Sequence, residues 1–239
     1  YIFTVMQLGN GAWNQYLYST LHFTNMEINS MLIVSYVLLY VGVLVYKAYL
    51  LHWSWKSIYI GCTFMNIIFS IFQILLIIQW NQSIGLSNYI FALGDSALSE
   101  LFYGIQYLPT VIMMGQLCPK GTEGTSYALF TSINNSAIML SSSISTSLLG
   151  LWNVSKSTLE SNHTNGLLYL TILTSCIQIS AIIFVPLLPS SKTELIALNY
   201  EQKSIIGGGI FLFIVASSII WATFSGIMNV LEPGWQGDT

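Results

Sequence analysis

The stretch ALGDSALSELFYGIQYLPTVIMMGQLCPKGTEGTSYALFTSINN, residues 92–135, consists of two long apolar runs joined by a short polar break. Each run approaches or exceeds the roughly 20 residues that carry a helix across a bilayer. Pro119 and Gly121 interrupt the chain between them, and Lys120 and Glu123 stand three residues apart. The break reads as a turn between two membrane helices. Glu123 falls in the first turn of the second helix, where the dipole favours a carboxylate and Lys120 is within reach. Asn134 and Asn135 lie further in, at about 15 Å from the helix entrance by helical rise.

Five further apolar runs flank this pair. The seven together fall at roughly 1–22, 29–50, 57–80, 95–117, 124–149, 166–188 and 205–230. None shows the strict alternation of a barrel strand. Only helices and closed barrels satisfy their backbone in lipid, so the expected fold is an all-α polytopic membrane bundle. Composition agrees. The 239 residues are 54% hydrophobic and 6% charged, with mean hydropathy +0.68, against about 25% charged in a soluble domain. The chain opens at Tyr1 in apolar sequence, which suggests the ordered part of something longer.

Charge excludes several classes. The net charge is -3 and all six basic residues are lysines, so there is no basic stripe for a nucleic acid. Cys62, Cys118 and Cys176 have no metal-ligand spacing and read as small apolar residues. His22, His52 and His163 are isolated near span ends. No phosphate loop, GxSxG or HExxH is present, so neither an enzyme, a metal nor a cofactor is expected.

Sidedness follows from the lysines. Lys47, Lys56, Lys120, Lys192 and Lys203 collect in alternate gaps, which the positive-inside rule assigns to the cytoplasm or its equivalent. Acceptor patterns for glycosylation at Asn81, Asn153 and Asn162 fall on the opposite side and are compatible with it. Lys156 is the exception. Trp53, Trp55, Trp80 and Trp152 lie at span ends, as an aromatic belt would.

Polar side chains within spans are costly and mark a bundle interior, a cavity or a partner. In the first span, helical spacing puts Asn10, Asn14 and Tyr18 on one face, with Gln15 beside them. This is either a cavity-lining helix that opens at its glycines or a set of interhelical hydrogen bonds packed close at Gly9 and Gly11. In the fourth span Asp95 either caps the helix or faces a ligand. Glu100, deeper and near Gln106, is a proton or cation site or a satisfied structural carboxylate. Pro109 predicts a kink there. In the fifth, the SSSISTS run from Ser141 to Ser147 favours tight helix packing, with Asn134 or Asn135 on a wet face as the sharper alternative. The triple glycine at 207–209 opens the seventh span and marks close packing or flexibility.

The opening stretch resembles the folate-biopterin transporter family, a branch of the major facilitator superfamily. The matching residues are Asp95, Pro109, Cys118, Pro119, Gly121, Glu123, Gly124, Thr125, Ala128, Leu129 and Asn134, in one register. GVLVYKAYLLHWSWKSI (residues 42–58) and VPLLP (185–189) resemble the family's flanking segments more weakly. The resemblance covers residues 1 to about 189. It implies that the first six spans correspond to helices seven to twelve, the C-terminal half of a twelve-helix fold. Residues 190–204 then form a polar cytoplasmic-side linker, 205–230 an additional transmembrane helix, and 231–239 a tail.

The implied function is secondary transport of folate- or pteridine-like small molecules by alternating access. Asn14, Gln15, Asp95, Glu100, Asn134 and Asn135 are candidate lining residues, and Pro119, Lys120, Gly121 and Glu123 a cytoplasmic gate. The implied partners are the lipid bilayer and an N-terminal six-helix half or partner subunits, in the plasma membrane or an organelle membrane. The alternative is a transporter-derived structural subunit of a larger membrane complex.

Overall fold

Capping chemistry sets the first long helix. Thr24 accepts a hydrogen bond from the backbone N–H of Glu27 (3.3 Å), and Glu27 accepts one from the N–H of Thr24 (2.8 Å). This reciprocal capping box satisfies two amide donors that a helix start leaves open. The helix runs Asn25–Val45 and ends in a π-turn, Tyr46–Leu50. A computed structural model describes residues 1–152, 154–161, 163–201 and 205–232. Asn153, Asn162, Lys203 and most of the expected tail lie outside the described residues, so the acceptor patterns at 153 and 162 do too.

In chain order the helices are α1 (Ile2–Val5), α2 (Trp13–Ser19), α3 (Asn25–Val45), α4 (Trp55–Ile77), α5 (Trp80–Ser83), α6 (Asn88–Leu117), α7 (Glu123–Ser147), α8 (Lys156–Glu160), α9 (Asn165–Ser180), α10 (Lys192–Glu201) and α11 (Ile205–Leu231). Short 3-10 segments extend α7 over Leu148–Leu151 and α9 over Ala181–Leu187. The described residues are therefore all-α, and the protein is an integral multi-pass membrane protein. Four helices are long and apolar enough to cross a bilayer: Asn25–Leu50, Trp55–Ile77, Asn165–Leu187 and Ile205–Met228. α6 and α7 have 30 and 25 residues, so both have the length, but their sequences are more polar.

The first expected span is not one helix. Residues 6–12 between α1 and α2 are non-helical. The Asn10 side chain takes the N–H of Ala12 (3.0 Å), a local bond that competes with helix formation between Gly9 and Gly11. Asn10, Asn14 and Tyr18 consequently do not share one helical face. Asp95 is not a cap either. Ser87 caps α6, its hydroxyl accepting the N–H of Ile90 (3.3 Å), which leaves Asp95 two turns inside. α6 continues through Pro109.

Packing runs from α3 outward. α3 lies against α6, α4 against α6 and α9, and α7 against α1 and α11. The α3–α6 crossing is set by two glycines. A Cβ added to Gly42 would overlap the Leu101 carbonyl oxygen, and one added to Gly104 would overlap that of Leu39. Small residues that admit backbone to backbone are how membrane helices gain contact without a hydrophobic drive between them. The core divides into two clusters. One gathers around Tyr16, Leu76, Leu159 and Leu167, the other around Tyr46, Trp55, Tyr59 and Val185. Trp55 belongs to the second cluster, 4% exposed, with its indole N–H on the Tyr46 hydroxyl (3.3 Å). It is at a span end, as expected, but faces inward and not to an interfacial belt. Trp53 and Trp80 are exposed.

Candidate functional site

Unwinding residues 6–12 frees backbone carbonyls that water would satisfy in a soluble protein. In a membrane bundle, side chains must do so. Ser141 donates to the carbonyl of Gln7 (3.0 Å) and Ser145 to that of Gly9 (2.5 Å). Gln178 donates to the carbonyl of Leu8 (2.5 Å). Asn10 donates to Thr171 Oγ1 (2.7 Å). Three consecutive carbonyls are thus held by α7 and α9. Ser141 and Ser145, one helical turn apart, are buried because they face this segment. The serine run also touches Gly11, where an added Cβ would sit at ordinary contact distance, 3.5 Å, from the Ser145 carbonyl oxygen. Ser147 and Thr146 return their hydroxyls to carbonyls of their own helix.

Beside the unwound segment lies a cavity of about 510 Å³ between α1, α4, α6, α7 and α11. Tyr59 on α4 and Thr110 on α6 are hydrogen-bonded at its wall (2.5 Å). Tyr103, Gln106 and Tyr107 border it from α6, Asn134 from α7, and Phe211 and Ile214 from α11. Phe130 and Phe211 meet edge to face at 5.7 Å, joining α7 to α11. No charged side chain is among the described residues that line it. Gln7 borders the cavity too, and its Nε2 is buried without a hydrogen-bond partner among the described residues. A buried donor left unpaired carries a desolvation cost.

The residues singled out from sequence separate in space. Asn134 borders the cavity, where Thr4 donates to its Oδ1 at 3.4 Å. Asn135 is exposed on the other side of α7. Asn14 is exposed. Gln15 donates to Ser19 (2.7 Å) and borders a second, open depression with Tyr18, His22, Lys156 and Glu160. Asp95 is 3% exposed; one oxygen accepts from Gln73 Nε2 (3.0 Å) and the other has no partner among the described residues. Glu100 is half-buried and outside the cavity lining, on a different side of α6 from Gln106.

Pro119, Lys120, Gly121 and Glu123 are exposed at the α6–α7 turn. Gly121 has φ +89°, a left-handed conformation that suits glycine. The expected Lys120–Glu123 pair does not form. Among the described residues the ion pair is Lys156–Glu160, exposed, at 3.9 Å. Backbone hydrogen bonds from Glu123 itself and from Gly121 hold the Glu123 carboxylate below its ordinary pKa. The amides of a helix start have no partners within the helix, so they reach the carboxylate ahead of a flexible lysine.

Gln7, Ser141, Ser145 and Gln178 were not singled out as a set by sequence reasoning. The available signal was the LGNG motif at 8–11 inside an apolar run, which breaks a helix and demands hydroxyl or amide donors elsewhere. Tyr59, Tyr103 and Tyr107 gave no signal, since aromatic residues are common in membrane spans.

Comparison with known proteins adds a family profile and a set of relatives. The BT1 family profile matches residues 2–204. The chain is 27% identical over 115 residues to "Probable folate-biopterin transporter 5" of Arabidopsis thaliana, covering 48% of this chain and 23% of that protein. It is 26% identical over 154 residues to "Folate-biopterin transporter" of Synechocystis sp., covering 64% of this chain and 30% of that one. It is 30% identical over 135 residues to "Folate transporter 1" of Plasmodium falciparum, covering 56% and 24% respectively. The chain therefore spans from under a quarter to about a third of the length of these relatives. No solved structure matches.

Proposed function

The chain belongs to the BT1 family, and from that premise we propose that it is one half of a secondary transporter for folate- or pteridine-like small molecules. The family match over residues 2–204 carries the proposal. In this reading residues 1–189 are the C-terminal six-helix half of a major-facilitator fold, 190–204 a cytoplasmic-side linker, 205–230 an additional transmembrane helix and 231–239 a tail. An N-terminal half supplies the other wall of the path.

The broken first span supports the reading. Transporters bind substrate where helices are discontinuous, because an unwound backbone offers polar groups at membrane depth. Here that segment borders the cavity and is held by only a few hydroxyl and amide bonds. The cavity residues Asn134, Gln106 and Gln7 contact substrate, Asp95 and Glu100 stand behind them on α6, and the turn of Pro119, Lys120, Gly121 and Glu123 flexes at the cytoplasmic gate.

Uptake of labelled folate and labelled pterin into vesicles holding the full-length protein tests this. Saturable uptake of at least one is expected. Background-level uptake across a panel of pteridines overturns the substrate assignment. A second reading, a subunit of a larger membrane complex, is favoured by α11, whose apolar window is 6% buried. Stable co-migration with a large assembly in mild detergent, together with no uptake, would select it.

A further inference from the structure

We propose that the Asp95 carboxyl is a proton-carrying site, sealed between α4 and α6 by two phenylalanine contacts, and that proton exchange there couples this half to a proton gradient. The coupling rests on the transport reading above; the proton site stands on the packing alone. It lies apart from the cavity, whose lining includes neither Asp95 nor Gln73.

Three observations carry it. First, the carboxyl is buried by this chain itself: Asp95 is 3% exposed, so no further half or subunit is needed to enclose it. Its Oδ2 accepts from Gln73 Nε2 (3.0 Å), and its Oδ1 is buried without a partner among the described residues. One neutral amide donor does not replace the hydration a carboxylate loses, so the carboxyl keeps its proton in this packing. Second, no counter-charge faces it among the described residues. On α3, Glu27 is tied into the capping box, and Tyr36 and Tyr40 are exposed. On α4, Lys56, Tyr59 and Cys62 lie about three turns or more from Gln73. Tyr16 gives its hydroxyl to the carbonyl of Leu76 (3.1 Å). On α6 itself, Tyr89 is hydrogen-bonded to Ser30 (2.7 Å), Tyr103 and Tyr107 border the cavity, and half-buried Glu100 is turned to a different side. Glu123 and Tyr127 on α7, and Lys192 and Glu194 on α10, lie by the α6–α7 turn and the start of α4, at the other end of the bundle. Third, rings close the seam on both sides of the carboxyl. Phe72 meets Phe91 at 5.9 Å, about one turn before Asp95, and Phe69 meets Phe102 at 5.6 Å, about two turns after it. Gly42 and Gly104 hold α3 against α6 backbone to backbone, so the way in is the α4 seam, where the obstacles are side chains that rotate. Opening one ring contact wets the carboxyl from one end while the other contact stays closed. The carboxyl O–H bond then breaks, its electron pair stays on oxygen, and the proton passes to water. With the opposite contact open, the carboxylate takes a proton back from water at that end, so one proton crosses per cycle.

Infrared spectra of the full-length protein and its Asp95→Asn variant, both in liposomes at neutral pH, test the site. The parent is expected to show a protonated-carboxyl C=O stretch that Asp95→Asn lacks, and that band shifts slowly in heavy water because the site is sealed. Phe91→Leu weakens one ring contact and is expected to speed the shift; it serves where Asp95→Asn does not fold. A difference spectrum without the band overturns the site, and so does a band that never shifts in heavy water, or one whose shift Phe91→Leu leaves at the parent rate. Uptake tests the coupling. An acid-outside gradient is expected to stimulate uptake of labelled folate by the parent. Asp95→Asn is expected to lose that stimulation and still exchange labelled for unlabelled folate, which a merely misfolded variant would not do. Stimulation that survives in Asp95→Asn overturns the coupling. Uptake by the parent that ignores the gradient also overturns it and leaves the transport reading standing. No uptake by the parent overturns the transport reading and the coupling together, and the infrared band then judges the proton site by itself.

Discussion

Single hydroxyls hold the break in the first span. Ser141 and Ser145 each satisfy one carbonyl of residues 6–12, and a buried acceptor that loses its donor costs about 1–3 kcal/mol. Ser145→Ala is expected to destabilise the chain by that amount in thermal unfolding in detergent, whereas Ser142→Ala, exposed on the same helix, leaves the transition within about 0.5 kcal/mol. Asp95 and Gln73 give a second contrast. Asp95→Asn keeps an acceptor for Gln73 and removes a buried ionisable group, so it is tolerated. Gln73→Leu leaves the Asp95 carboxyl without its donor among the described residues and costs about 1–3 kcal/mol in the same assay. A third residue-scale effect depends on pH. The backbone N–H of Ser190 donates to Glu194 Oε2 at 2.6 Å, and this bond and the Ser190 hydroxyl hold that carboxylate below its ordinary pKa. A depressed pKa means the stabilisation is complete above the unfolded value, about 4.3, and is lost as pH falls through the folded value. The protection of the Ser190 amide, its exchange measured against the intrinsic rate at each pH, is expected to fall as the pH drops below about 4, and to lose that pH dependence in Glu194→Gln.

At the scale of elements, the pairing of α3 with α6 depends on Gly42 and Gly104. The obstacle to a larger residue at either is a backbone carbonyl, which cannot rotate away as a side chain would. Gly104→Val is expected to cost about 3 kcal/mol, the upper end for overpacking, because the clash is with backbone. Gly115→Ala on the same helix meets open space and, by helix propensity, is neutral or stabilising by up to about 1 kcal/mol. Denaturation of both variants in one detergent checks the difference. The elements also mark where sequence was sufficient. Apolar runs located α3, α4, α9 and α11, because length and hydropathy alone decide a span. The turn at Pro119 and Gly121 was legible from its breakers. The break in the first span was legible only as one of two readings, because Gly9, Asn10 and Gly11 suit an opened helix and a packed one equally until one knows that Ser141, Ser145 and Gln178 face them. The place of Asp95 depended on Ser87 starting α6 earlier than the polar pattern suggests. Asn134 and Asn135 are adjacent in sequence, yet only Asn134 borders the cavity, since a helix turns about 100° between neighbours.

On the scale of the whole molecule, the broken span, the uncharged cavity and α11 belong together. α7 supplies the donors that hold residues 6–12, one wall of the cavity and the contact with α11 through Phe130 and Phe211. A shift of α7 would therefore move all three at once, as the proposed alternating access would require. Site-directed accessibility tests this claim most directly. Asn134→Cys is placed in the full-length protein, with Cys62, Cys118 and Cys176 replaced, and is reconstituted in oriented vesicles. A membrane-impermeant thiol reagent is then applied from each side, with and without biopterin. The account predicts labelling of Cys at 134 from both sides, with biopterin slowing or redistributing it. Labelling from one side alone, at a rate biopterin does not change, would contradict it.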